Sequence, residues 1–248
     1  MNPTEKRIST GSQELDAMLH GGFLPGSSNL VEGAAGTGKT TLGIQFLVAG
    51  LEQGEKALII TFEEYPQQYL DCALELGWDL PKLQAEEKLE IIFTTPEEFV
   101  ELVDEENKKL TQLIEDKGIT RVVVDSITNI EKLARDPGEL RAIETDIVNY
   151  FKREEVTAVI LKENRNILGG WDISSNKIPF IVDCYLLLRY LELDSEIKRG
   201  LMILKMRGSN HDKAIRSYEI REKGLHIGEP FHGVTGIFLG TGSPVKQR

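Results

Sequence analysis

The run Gly33-Ala34-Ala35-Gly36-Thr37-Gly38-Lys39-Thr40 sets glycines, a lysine and a hydroxyl in the order G-x-x-x-x-G-K-[ST]. Glycines at these positions let the backbone curl until successive N–H groups point at phosphate oxygens, and a following helix adds the positive end of its dipole. Lys39 then reaches the outer phosphates of a nucleoside triphosphate. The Thr40 hydroxyl is placed to ligate Mg²⁺, a hard cation that prefers oxygen and keeps several of its waters. A short apolar stretch at residues 28–32 precedes the loop, and Leu42, Ile44, Phe46, Leu47, Val48 and Leu51 follow it in a helix-like pattern. The order of strand, loop and helix is the one the motif requires.

Ligands of an open parallel sheet sit at the carboxyl ends of its strands, so acids at predicted strand ends are the candidates for hydrolysis. Asp125 ends the β-branched run 121–125 and fits a Walker B acid, holding Mg²⁺ directly or through water. Glu63 and Glu64 follow the apolar run 56–62, where one could polarise the water that attacks the γ-phosphate. Neighbours in an extended chain point to opposite sides, so at most one faces that water, and the other tunes the base or lies near Mg²⁺. Lys205 and Arg207 flank Met206 at the end of another predicted strand, and the period of two puts both cations on one face. That pair suits a phosphate clamp, because arginine forks two donors onto phosphate oxygens and neutralises transition-state charge. Supplied by a neighbouring subunit, it makes hydrolysis depend on assembly. Plainer readings are a turn aspartate, a solvated acidic pair at a helix start and a basic edge strand that discourages aggregation. His20, His226 and His232 have no metal-ligand spacing.

The elements that must position these residues alternate. Strands are predicted at 56–62, 89–93, 121–125 and 156–161, and a helix at 66–76 is closed by Gly77. Thr95-Pro96-Glu97-Glu98 forms a capping box, and its helix is expected to run to about Gly118. Leu140, Ile143, Ile147, Val148 and Phe151 mark one face of a later helix. This predicts an α/β protein with a mostly parallel central sheet flanked by helices. From about Val182 the runs 184–191, 200–206 and 215–220 read as successive strands with short links, an antiparallel C-terminal extension. Residues 163–179 are expected to form a long surface loop, and the tail 236–248 to be loosely ordered. The chain reads as a single domain over 1–248 with a core of about 7–228.

Composition narrows the function classes. A net charge of −11 opposes constitutive binding to nucleic acid or anionic membrane. Residues 1–7 have no apolar stretch behind them, so no secretory signal is expected and a cytoplasmic location is. Cys72 and Cys184, far apart in apolar settings, predict two buried thiols rather than a disulfide or metal site.

On these residues the chain resembles the KaiC branch of the RecA-like ATPases, over about residues 7–244. Matching features are Thr10-Gly11 with Leu15-Asp16, Gly21-Gly22-Phe23, Phe62-Glu63-Glu64, Gly77-Trp78-Asp79-Leu80 and Val124-Asp125-Ser126. The most specific is Lys205-Met206-Arg207-Gly208-Ser209-Asn210-His211-Asp212-Lys213, closer to the C-terminal half of the family's circadian-clock member than to its N-terminal half. The resemblance implies a RecA-like P-loop fold, ATP and Mg²⁺ as cofactors, and a homo-oligomeric, hexameric ring with ATP at subunit interfaces. Its nucleotide contacts would be Gly36, Thr37, Gly38, Lys39, Thr40 and Thr41, with Ser209 and His211; its metal ligands would be Thr40, Asp125 and Glu64. Glu63 and Glu64 would be the catalytic acids, and Lys205 and Arg207 would touch the γ-phosphate held by the adjacent subunit.

The departures also bear on function. The clock member has two such domains in tandem and a long C-terminal tail that engages an activator; one domain without that tail argues against a clock role. Its adjacent Ser-Thr phosphorylation pair aligns with Pro179 and Phe180, which carry no hydroxyl, although Ser174 and Ser175 are nearby. Three functions stay open: a ring ATPase signalling to a protein partner, a serine/threonine autokinase or protein kinase, and a RecA-like module handling single-stranded DNA. The last would use residues 162–177, with Lys162, Arg165 and Lys177 against Glu163 and Asp172, and Trp171 for stacking.

Overall fold

Apolar residues that alternate along each central strand bury against different layers, as a sheet covered on both faces requires. The computed structural model describes residues 6–104, 106–164, 181–193, 195–236 and 243–244. Its N-terminal part runs α1 (Gln13–Met18), β1 (Ser28–Gly33), α2 (Lys39–Leu51), β2 (Lys56–Thr61), α3 (Pro66–Glu75), α4 (Leu80–Ala85) and β3 (Leu89–Phe93). Next come α5 (Pro96–Leu102), α6 (Lys109–Lys117), β4 (Ile119–Asp125), a 3₁₀ helix (Ile127–Lys132), α7 (Pro137–Arg153) and β5 (Thr157–Glu163). The C-terminal part holds β6 (Cys184–Leu193), β7 (Glu196–Met206), β8 (Arg216–Arg221), β9 (Gly224–Pro230) and the short β10 (Val234–Thr235) and β11 (Ser243–Pro244).

The nine-stranded sheet has the order β3-β2-β4-β5-β1-β6-β7-β8-β9. Val31, Ile59, Val123, Val159 and Leu186 pack under α1 to α4 and against β9. Their neighbours Leu30, Leu58, Val122, Ile160 and Leu187 pack under α5 to α7 and the 3₁₀ helix. Local signals start and stop the helices. Ser12 caps α1, Thr95 and Glu98 close a capping box on α5, Asp136 caps α7, and Gly77 at φ +81 ends the α3 turn.

Several expectations change. The helix expected from Pro96 to about Gly118 is two helices. Between them Asp104 Oδ1 accepts from the Glu106 N–H at 2.8 Å and Asn107 Oδ1 from the Lys109 N–H at 3.1 Å. These local bonds compete with helix continuation. The strand expected at 156–161 begins one residue later and reaches Glu163. β6 pairs in parallel with β1, so the antiparallel extension starts at β7, and it includes β9, which the sequence did not indicate. β10 and β11 pair within the stretch around the expected loose tail, whose other positions 237–242 and 245–248 lie outside the described residues. Cys184 is fully buried as expected, but Cys72 is half-buried. Among the described residues no helix is long and apolar enough to cross a membrane.

Candidate functional site

β1 delivers the glycine-rich loop at its carboxyl end, and α2 starts where the loop stops. Gly36 and Gly38 hold φ of +74 and +90, in the region only glycine enters freely. A Cβ on Gly33 would lie 2.5 Å from Thr37 Oγ1 and 2.7 Å from the Leu188 carbonyl, so this cradle has no room for a side chain. Thr37 Oγ1 and Lys39 Nζ both donate to the Ala34 carbonyl, at 2.7 and 3.0 Å. Burial pulls the Lys39 ammonium below its ordinary pKa, against the opposing pull of Glu163, Asp125 and Glu32. Thr41, another expected contact, is buried in the first turn of α2.

Residues that the sequence reading passed over support the loop from the antiparallel strands. Tyr218 Oη donates to the Thr37 carbonyl at 2.6 Å, and Arg199 Nη2 to the Gly36 carbonyl at 3.4 Å. Arg199 also stacks over Tyr190, 5.6 Å from the ring centroid. Its Nε is buried with no hydrogen-bond partner among the described residues. A cleft of about 460 Å³ opens here between Arg199, Tyr218, Arg221 and His226. A glycine cradle with no room for a Cβ at position 33 and an unsatisfied guanidinium nitrogen beside it fit a phosphate group. The only sequence signal was aromatic residues within predicted strands, which core packing explains equally well.

β4 carries Asp125 to the same end of the sheet, beside Thr61 of β2. Thr40 Oγ1 donates to Asp125 Oδ2 at 2.7 Å, and so does Tyr69 Oη, also at 2.7 Å. The Asp125–Ser126 peptide is cis. Glu63 and Glu64 lie exposed between β2 and α3, and Thr61 Oγ1 donates to the Glu64 carbonyl at 3.0 Å. Partial burial, Asp125 and Glu63, in that order, raise the Glu64 pKa. Oxygen donors on Thr40 and Asp125 suit Mg²⁺. No group of three or more His, Cys, Asp or Glu that could hold a metal occurs among the described residues.

Lys205 and Arg207 come together, but at the other end of the sheet. Met206 pairs with Cys184, which pairs with Asn29, four positions before Gly33. At ~3.3 Å per residue along a strand and ~4.8 Å between strands, Met206 is roughly 16 Å from Gly33, beyond the reach of either cation. Lys205 Nζ donates to the Val182 carbonyl at 2.7 Å. Arg207 Nη1 lies 3.8 Å from Asp183 Oδ1, and its N–H donates to the Asp183 carbonyl at 2.7 Å. A third cation escaped the sequence reading: Lys152 Nζ is 2.9 Å from Asp183 Oδ2, which also accepts from the Ser28 N–H at 3.1 Å. Burial and then Arg207 lower the Lys205 pKa, while Asp183 opposes and Lys152 adds to the shift. Ser209 and His211 belong to this end as well. Ser209 Oγ accepts from Arg7 Nη2 at 2.9 Å, and next to His211 the Asp212 N–H donates to the Met18 carbonyl at 2.8 Å. Burial, then Lys213, lowers the His211 pKa.

The P-loop with its neighbouring acid and the Lys205–Arg207 pair thus lie at opposite ends of one sheet. The sequence model described as "ATPase: KaiC" matches residues 8–231. The chain belongs to the KaiC family. It is 38% identical to the circadian clock protein KaiC3 of Synechocystis sp. over 237 residues, which are 95% of this chain and 46% of that protein. It is 35% identical to the circadian clock oscillator protein KaiC of Thermostichus vulcanus over 95% of this chain and 45% of the relative. For the KaiC of Acaryochloris marina the identity is 34%, over 97% of this chain and 45% of the relative. The chain thus spans about half the length of these KaiC relatives.

One basic residue proposed for a DNA-facing loop is placed otherwise in this KaiC-family chain. Lys162 is on β5 and 7% exposed, 3.0 Å from Glu131 and 3.4 Å from the buried Glu144. Burial raises the Glu144 pKa, and Lys162 opposes the shift. A cation enclosed by two carboxylates has no face left for a nucleic-acid backbone. Arg165, Trp171, Asp172, Ser174, Ser175, Lys177, Pro179 and Phe180, on which the rest of the DNA and phosphorylation readings fall, lie outside the described residues.

Proposed function

We propose that the chain is a Mg²⁺-dependent ATPase that works as a homo-oligomer, a hexameric ring, with each active site shared between two copies. The observation that carries this reading is the distance between the P-loop and the Lys205–Arg207 pair of one chain. Both have phosphate-binding chemistry, and one copy cannot bring them to the same phosphate. A head-to-tail contact sets one copy's loop against its neighbour's cations, and such contacts close into rings when the rotation permits.

In this site the N–H groups of residues 36–40 hold the phosphates, and Lys39 leaves the Ala34 carbonyl for their outer oxygens. Thr40 and Asp125 would hold Mg²⁺, which when bound would neutralise charge on the phosphates. One carboxylate of the Glu63–Glu64 pair orients the attacking water and takes its proton, while the other would tune that base or help hold Mg²⁺. The neighbour's Lys205 and Arg207 neutralise the charge that develops on the γ-phosphate. Ser209 and His211 of the same neighbour complete the nucleotide's surroundings. The relatives are named as circadian clock proteins, which supports a regulatory role in which the nucleotide state of the ring is read by a protein partner.

The test is ATP hydrolysis by the wild type and by the Lys205→Ala, Arg207→Ala double variant, with particle mass followed with and without ATP and Mg²⁺. Hydrolysis by an assembled form, lost in the double variant while the assembly persists, supports the shared site. Hydrolysis by a monomer indifferent to the substitutions sinks it. Label transferred from the γ-phosphate and retained on the protein would put an autokinase in its place.

A further inference from the structure

The P-loop motif accounts for one of the two hydrogen bonds that the Asp125 side chain accepts among the described residues. The other comes from Tyr69, whose ring on α3 is 1% exposed. Its hydroxyl and that of Thr40 each lie 2.7 Å from the same atom, Asp125 Oδ2. A carboxylate oxygen offers two lone-pair directions, so these donors fill Oδ2 and fix the plane of the group. Oδ1 is then the oxygen left for the water shell of a cation.

We propose that Tyr69 is a positioning residue of the Mg²⁺ site, holding Asp125 in the orientation from which Oδ1 meets the hydrated cation. This rests on the reading of Thr40 and Asp125 as the metal-holding pair. Packing alone does not ask for a phenol here, because phenylalanine would fill the same space between β4 and the buried Leu70 and Ala73 of α3. A buried hydroxyl needs a partner, and bonds to an ionised acceptor are the strong ones. α3 is suited to the task. Pro66 sets its first turn, and Gln68 Oε1 accepts from the Tyr65 N–H at 2.6 Å, so the helix carrying Tyr69 is anchored at its start.

The experiment compares wild type with Tyr69→Phe, which removes the hydroxyl and keeps the ring. Affinity for a fluorescent ATP analogue is measured in chelator and across a Mg²⁺ titration, and Mn²⁺ binding in the presence of ADP is followed by electron paramagnetic resonance. Expected is an unchanged affinity in chelator, with the half-saturating Mg²⁺ and Mn²⁺ concentrations raised about tenfold, as for loss of one charge-assisted hydrogen bond. Tyr69→Leu should shift metal demand to the same extent while also melting earlier. Unchanged metal demand in Tyr69→Phe overturns the proposal, as does an affinity loss equal with and without metal, which would mark a general packing role. Wild type that binds the analogue while the variant matches it sinks only this inference. Wild type that binds no analogue under any condition sinks the ATPase reading along with it.

Discussion

The guanidinium of Arg121 occupies the space beside Gly50 that a side chain would need: a Cβ on Gly50 would lie 2.2 Å from Arg121 Nε. Arg121 is 1% exposed and forks onto Glu55 at 2.8 and 3.0 Å. It also donates to the carbonyls of Ser9 and Phe46 at 2.7 and 2.8 Å, and lies 4.9 Å from the Phe46 ring centroid. The strand that ends in Asp125 is thereby tied to the helix that begins with Lys39. Without a Cβ at position 50 the two approach closely enough for this buried cation to find every partner.

Gly50→Ala tests that closeness with an unusual sign. In an exposed helix the change would stabilise by about 1 kcal/mol. Here it should destabilise by about 2 kcal/mol, because the clash displaces a buried charge from its partners. Thermal melting decides, and a raised midpoint would contradict the assignment.

Glu55 supplies the pH dependence of the same contact. The hydrogen bond from Arg121, the largest cause, holds the Glu55 carboxyl below its ordinary value of 4.5, with burial opposing. A depressed folded-state pKa gives stability that is present above the unfolded value and lost as pH falls through the folded one. Glu55→Gln should therefore cost about 3 kcal/mol at neutral pH. The gap between the two proteins should narrow as the pH is lowered from 5 toward 3. A gap independent of pH in parallel melts would separate the effect from the ion pair.

Complementation tests the proposed shared site directly. Lys39→Ala should lack nucleotide binding at its own loop, and the Lys205→Ala, Arg207→Ala protein should lack the cations it offers a neighbour. Each alone should hydrolyse no ATP above background. Mixed in equal amounts and allowed to exchange subunits, they should recover about a quarter of wild-type activity, the chance that an intact loop meets an intact cation pair. No recovery in rings shown to contain both proteins would count against sites between subunits.

Asp183 holds Lys152 and Arg207 beside Lys205, so Asp183→Asn should loosen the cations without touching the loop. Turnover should fall about tenfold while nucleotide affinity stays within about twofold, the pattern of an interaction made chiefly in the transition state. A change in affinity with turnover intact would assign Asp183 to folding of the β6 entry instead.

What the sequence disclosed depended on the range of the interaction. The P-loop, the acid ending β4 and the period of the buried strands are written in neighbouring residues, and all were legible. Tyr69, Arg199, Tyr218 and Lys152 reach the site through contacts between distant segments, so their spacing carries no signal. Lys162 looked like a loop cation because a polar stretch follows it, yet Glu131 and Glu144 enclose it from elements that only the fold brings near. The break between α5 and α6 was local, but the bonding of Asp104 and Asn107 was hidden by an apolar spacing that also suits one helix.

The separation of the loop from the Lys205–Arg207 pair also bears on inheritance. If the site is shared between copies as proposed, a copy disabled at both ends spoils its own pocket and that of the subunit it should have served, so each defective molecule silences two centres. Damaged alleles would then act dominantly, poisoning assemblies built mostly from sound chains. A lesion in the core that prevents folding removes the copy before it can join, and so would be recessive.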